Sequence, residues 1–106
     1  MVSNSVKETI INAKQYPHIT RIGIFGSYAR NEHEETSDLD ILIDYDECTD
    51  DLLDDLGSFM EDMELVFNGK IDYVTVPSLS DSEDDIFKRN VLRDVKWIHD
   101  KTGEIA

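Results

Sequence analysis

Cysteine occurs once in the 106 residues, as Cys48, so no internal disulfide can form and a reducing cytoplasm is the expected setting. Proline occurs only twice, and no Gly/Ser- or Pro-rich stretch is long enough to be an interdomain linker. No internal repeat is present either, so residues 1–106 are expected to form a single domain. Missing too are any apolar run near the ~20 residues of a membrane span and a signal-peptide pattern at the start. Positive charge is scarce. Ten Lys and Arg face twenty-four Asp and Glu, a formal charge of -14, and from Asn31 to Gly69 there is no Lys or Arg while fifteen acids fall there. So acidic a surface repels phosphate backbones, which excludes a protein that grips DNA or RNA along its length. Neither a nucleic acid nor a membrane is an expected partner. With 40% apolar and 32% charged residues, a folded globular chain is what remains.

Periodicity then places the elements. Ser5 to Tyr16 reads as a helix, with a Ser5-x-x-Glu8 capping box, a stripe of Val6, Ile10, Ala13 and Tyr16, and Pro17 as its stop. Ile19 to Phe25 reads as a strand broken at Gly26-Ser27, with a short helix able to begin there. In Leu39 to Tyr45, Leu39, Ile41, Ile43 and Tyr45 alternate toward a core. Thr49 caps a helix whose apolar residues are Leu52, Leu53, Leu56, Phe59, Met60, Met63, Val66 and Phe67, a 3.6-residue pattern, and Asn68-Gly69 closes it. Lys70 to Val76 is a third strand. Ser80-x-x-Glu83 caps a final helix expected to run to about His99, burying Phe87, Val91, Val95 and Ile98. This order predicts an α+β, two-layer fold: a small mixed sheet with helices packed on it.

Three short segments carry chemistry. Gly26-Ser27-Tyr28-Ala29-Arg30 stands where a strand ends; Gly26 lets the backbone approach a ligand, and the following amides with the Ser27 hydroxyl suit phosphate oxygens. Arg30 adds a charge-assisted contact, or braces the loop. Gly-Ser after a strand is also an ordinary turn. In Ser37-Asp38-Leu39-Asp40 the two acids share one face of a strand, where they repel unless a cation such as Mg²⁺ sits between them. The same pair also reads as the polar side of a half-exposed strand. Asp72 is an acid inside the strand Lys70 to Val76 and reaches that face if the strand pairs beside the second; otherwise it is an edge-strand surface residue.

Together, Gly-Ser, ten residues, Asp-x-Asp followed by Ile-Leu-Ile, and a later strand Asp resemble the DNA polymerase β-like nucleotidyltransferase superfamily. On so short a chain, GSYAR-x6-SDLDILI is most similar to the minimal nucleotidyltransferases (MNT proteins), antitoxins of HEPN/MNT toxin–antitoxin systems. Asn31 stands where many relatives carry Gly, but Asn also tolerates the left-handed region. The resemblance implies that Gly26 and Ser27, with Arg30 and Ser37 nearby, bind the nucleotide, and that Asp38, Asp40 and Asp72 are catalytic. It implies that Asp38 and Asp40 ligate two Mg²⁺ ions and that Asp72 binds the ion on the attacking side, with ATP as substrate. It further implies AMP transfer to a tyrosine hydroxyl of a HEPN-type ribonuclease toxin, which would be silenced.

Little chain follows the third strand, so an acceptor site is expected from a second chain, either the toxin or another copy of this one. Two alternatives stand beside this reading: an antitoxin that masks the toxin by binding alone, and a transferase acting on a small cation such as an aminoglycoside. Asp44, on the face of Asp38 and Asp40, is read as solvated, and His18, His33 and His99 as ordinary surface. Tyr28 is expected to pack rather than to stack on a base. Lys88, Arg89, Arg93 and Lys96 are read as a solvated basic face on the last helix, or as a basic stripe that reaches the triphosphate or an acidic partner patch.

Overall fold

The structure, a computed structural model, describes residues 4–34 and 36–101. The chain opens with helix α1 (Asn4–Ile11), which tightens into a 3₁₀ turn at Asn12–Gln15. Ser5 therefore lies inside the helix rather than capping it, and the stripe Val6, Ile10, Ala13 and Tyr16 is buried as its spacing predicts. Strand β1 (Ile19–Phe25) leads into a single helical turn, α2 (Gly26–Ala29), and then into β2 (Leu39–Tyr45). Helix α3 (Asp50–Val66) begins at Thr49, whose hydroxyl accepts from the Leu52 N–H at 3.2 Å. It crosses to β3 (Ile71–Thr75), and a connection of this kind is what lets β3 run parallel to β2.

The chain after β3 differs from its sequence reading. Val76 belongs to a short helix, α4 (Val76–Ser80), which Thr75 caps by accepting from the Ser78 N–H. The last helix, α5 (Asp85–Asp94), is capped by Asp84, not by Ser80 and Glu83, and it ends at Asp94, not near His99. Lys96–Asp100 is a fourth strand, β4, antiparallel to β1. Of the four residues expected on a buried helical stripe, Val91 is buried, Phe87 is 40% exposed, and Val95 and Ile98 have left the helix.

The sheet order is β3-β2-β1-β4, with β1 antiparallel to both its neighbours. It is a mixed sheet with helices packed on it, as expected for α+β. Alternation divides the side chains between its two faces. Ile22, Ile24, Leu39, Ile41 and Ile43 join Ile10, Leu52, Phe59 and Met63 in one core under α1 and α3. Phe25 and Leu42 point the other way, toward Leu79 of α4 and Val91 of α5, with Val74 and Trp97 beside them. Asp38, Asp40 and Asp72 alternate in phase with Leu42 and Val74, so they lie on this second face. Among the described residues, no helix is long and apolar enough to cross a membrane.

Candidate active site

At the end of β1 the backbone turns on Gly26, whose φ is +71°. The positive φ favours glycine, and a Cβ built there would meet the carboxylate end of Asp40, which would have to shift. The single turn α2 is then closed by its own backbone. The Arg30 N–H donates to Gly26 C=O at 3.1 Å, and the Glu32 N–H donates to Ser27 C=O at 2.9 Å. Asn31 adopts φ +62°, the conformation that its residue type tolerates.

Opposite this turn stand the acids. Parallel pairing puts Asp40 directly beside Asp72, and the antiparallel pairing of β2 with β1 puts Phe25 beside Asp40. Register alone therefore brings Asp40, Asp72 and the Gly26-Ser27 turn together, with Asp38 one pleat before Asp40. Burial pushes the Asp40 carboxyl up to about 6, and the charges of Asp72 and Asp38 push the same way, while Arg30 and Lys70 oppose them. Lys70 Nζ lies 3.8 Å from Asp38 Oδ2 and 3.6 Å from Asp72 Oδ1.

Among the described residues, no three His, Cys, Asp or Glu side chains are already gathered as a metal-binding set. The donor chemistry nevertheless fits Mg²⁺. The carboxylate oxygens are hard donors, and their mutual repulsion, which adds to the effect of burial in raising Asp40, is relieved by a divalent cation. The exposed Lys70 ammonium supplies part of that positive charge in the free protein.

The other candidate residues are tied down more locally. Ser37 Oγ accepts from the Glu34 N–H at 2.8 Å, and the Ser37 N–H donates to Glu34 C=O, so Ser37 closes the loop before β2. Arg30 Nη1 donates to Asp94 Oδ2 at 2.7 Å and Arg30 Nε to Glu32 Oε2 at 3.1 Å. Its guanidinium thus joins α2 to the end of α5. Asp94 and Lys70 were not singled out in the sequence. With the last helix expected to run to about His99, Asp94 reads as a residue of the helix interior, and its ion-pair partner Arg30 is sixty-four positions away, so the sequence held no signal for it.

Asp44 is neither solvated nor near the acids. Arg21 holds it through Nη2 at 2.8 Å, both side chains being under a quarter exposed, and the Arg21 guanidinium lies 4.2 Å from the Trp97 ring centroid. Tyr28 packs, as expected: it stacks on His33 at 4.0 Å and meets Phe67 edge-on. The histidines are more enclosed than ordinary surface. His18 Nδ1 stands 3.6 Å from Asp46 Oδ1, and His99 is half-buried on β4. Nor do the basic residues near the C-terminus form one helical face. Arg93 bonds Asp94, Lys88 Nζ donates to Ser80 C=O, and Lys96 is on β4.

Comparison with known proteins bears on the family of the chain. The family model described as a nucleotidyltransferase domain matches residues 7–98. A Methanocaldococcus jannaschii protein, provisionally named protein adenylyltransferase MJ0435, is 40% identical over 76 residues, covering 72% of this chain and 80% of its own. The protein adenylyltransferase MntA of Thermococcus cleftensis is 34% identical over 83 residues, covering 76% of this chain and 75% of its own. Among solved structures, a chain in the complex of tri-AMPylated Shewanella oneidensis HEPN toxin with MNT antitoxin superposes with a TM-score of 0.57 at 17% identity, over 92% of this chain and 71% of that one. That likeness shows a shared fold. With paired strand acids facing a glycine-serine turn and a family match over nearly its whole length, the chain belongs to the nucleotidyltransferase domain family and is a nucleotidyltransferase enzyme.

Proposed function

We propose that residues 1–106 act as one minimal nucleotidyltransferase domain that transfers AMP from ATP to a tyrosine hydroxyl of a HEPN-type ribonuclease toxin, with Mg²⁺, and thereby serves as its antitoxin. The observation that carries this reading is the Asp40–Asp72 register beside Gly26. Relatives named protein adenylyltransferase support AMP as the transferred group. The complex of a tri-AMPylated HEPN toxin with its MNT antitoxin supports the acceptor class. A net charge of -14 suits docking on a basic, RNA-cutting partner, where complementary charge speeds encounter. We place the protein in the cytoplasm, in keeping with the single, exposed thiol of Cys48.

In this reading the amides after Gly26 and the Ser27 hydroxyl take the β- and γ-phosphates. Asp38, Asp40 and Asp72 would hold two Mg²⁺ ions, which would neutralise the triphosphate and acidify the acceptor hydroxyl. Asp38 and Asp40 would be shared ligands of the ions, and Asp72, beside Asp40 on the neighbouring strand, would be a ligand on the side from which the acceptor arrives. The acceptor oxygen bonds the α-phosphorus as the bond to the bridging oxygen breaks and pyrophosphate leaves. Arg30 and Ser37 act on the nucleotide indirectly, by holding the loops on either side of the site.

The test is incubation with α-labelled ATP, Mg²⁺ and a cognate HEPN-type protein. Label on a tyrosine of that protein, abolished by Asp40→Asn, is the expected result. A stable complex that stays unlabelled would establish masking by binding alone, and label only on an added aminoglycoside would establish a small-molecule acceptor.

A further inference from the structure

The side chain of Asp94 is only 8% exposed, at the last residue of α5, where the helix dipole disfavours an acid. A carboxylate enclosed by its neighbours at a helix C-terminus needs compensation, and Asp94 receives it from two guanidinium groups. Arg93 donates to Oδ1 at 3.0 Å, and Arg30 donates to Oδ2 at 2.7 Å. These bonds, Arg93's the larger, hold the Asp94 carboxyl below the usual carboxylate range, so it is ionised at neutral pH. Arg93 is its sequence neighbour and adds nothing to tertiary structure. Arg30 is sixty-four positions away, on the turn that carries Gly26 and Ser27.

That turn needs such an anchor. Four residues of helix are far below the length that is stable alone. Ala29 is buried, and Arg30 is the residue whose N–H closes the turn on Gly26. Its side chain has two acceptors: Glu32, exposed and two residues along, which cannot fix the turn against the rest of the fold, and Asp94, which can. Arg30 is also one of the two positive charges that oppose the repulsion felt by Asp40, so its placement bears on the acids as well.

We infer that Asp94 is a positioning residue of the nucleotide site: by clamping Arg30 it fixes the Gly26–Ala29 turn. Asp94 touches neither substrate nor metal. Its effect falls on nucleotide affinity more than on the chemical step, because a loosened turn must be reordered each time a triphosphate binds. The inference rests on the nucleotide-binding role proposed above for Gly26 and Ser27.

Affinity for AMP-PNP with Mg²⁺, measured by calorimetry on the full chain, tests it through a double-mutant cycle of Asp94→Asn and Arg30→Gln. Each single variant is expected to weaken binding about tenfold, as for loss of a charge-assisted hydrogen bond. The double variant is expected to lose no more than either alone, and Asp94→Glu to recover part of the loss. With an acceptor present, Asp94→Asn should raise KM for ATP while leaving kcat within about threefold. If Asp94→Asn lowers the Tm but leaves AMP-PNP affinity unchanged, the residue is structural only and the inference is overturned. Independent, additive losses overturn it too. Should Asp94→Asn fail to fold, Arg30→Gln alone decides, since it leaves the acid its Arg93 partner, and unchanged affinity there is equally fatal. A wild-type chain that does not bind AMP-PNP at all would instead refute the nucleotide reading on which the inference stands.

Discussion

Asp40 concentrates the tension of this protein in one side chain. Its folded-state pKa of about 6 stands above the ordinary 3.8, so the fold prefers the protonated acid. That preference stabilises the protein fully below about pH 4 and is lost as pH rises through about 6, because the charged form must be kept half-buried beside Asp38 and Asp72. Asparagine imitates the protonated acid without titrating. Without divalent cations, Asp40→Asn is therefore expected to exceed wild type by about 1 kcal/mol near pH 7.5, after allowance for solvent screening, and to match it near pH 4. Urea melts at the two pH values check this, and a variant less stable than wild type at the higher pH would contradict it. This residue was legible in the sequence because Asp-x-Asp before Ile-Leu-Ile fixes its face by strand alternation alone. Asp94 was not, since its partner Arg30 is remote in the chain and α5 itself gives no reason to bury an acid.

Local patterns sufficed for elements whose cores are local, and failed where a distant edge decided the outcome. The alternation of Leu39 to Tyr45 and the capped helix after Thr49 appear as their sequences predict. Residues 95–100 do not. Phe87, Val91, Val95 and Ile98 have helical spacing, yet the chain turns extended at Val95 and pairs with β1. The unpaired edge of β1 supplies the hydrogen bonds, and Gly23 supplies the space: a Cβ there would stand 2.8 Å from Val95 Cγ2 and 2.9 Å from Trp97 Cε3. Arg21 then covers Trp97 from the same strand. Nothing within residues 85–100 announces that slot. Gly23→Ala is accordingly expected to cost about 1–3 kcal/mol through overpacking against β4. Gly57→Ala, on α3 with open space around it, should instead gain up to about 1 kcal/mol. Thermal melts of the two variants compare them directly, and equal effects would refute the role given to the Gly23 slot.

Across the whole molecule the excess of acids is a cost that the fold carries. The described ion pairs are mostly exposed and stabilise little, so general repulsion at a net charge of -14 is poorly offset within the chain. Raising NaCl from about 0.05 to 0.5 M should therefore raise the Tm by several degrees in the absence of divalent ions, because screening weakens that repulsion. A Tm that falls would show that attractive pairs dominate. Composition alone made this much legible. What it left open was where the acids gather, and the sheet register answers that by setting Asp72 against Asp40 beside the Gly26-Ser27 turn.

Titration of Mn²⁺ into the full chain with AMP-PNP, followed by electron paramagnetic resonance of the free ion, tests most directly whether the three acids share divalent cations. The account predicts that wild type withdraws two Mn²⁺ per chain, and that Asp40→Asn and Asp72→Asn each abolish uptake of at least one. Uptake by the Asp72→Asn chain equal to that of wild type would contradict it.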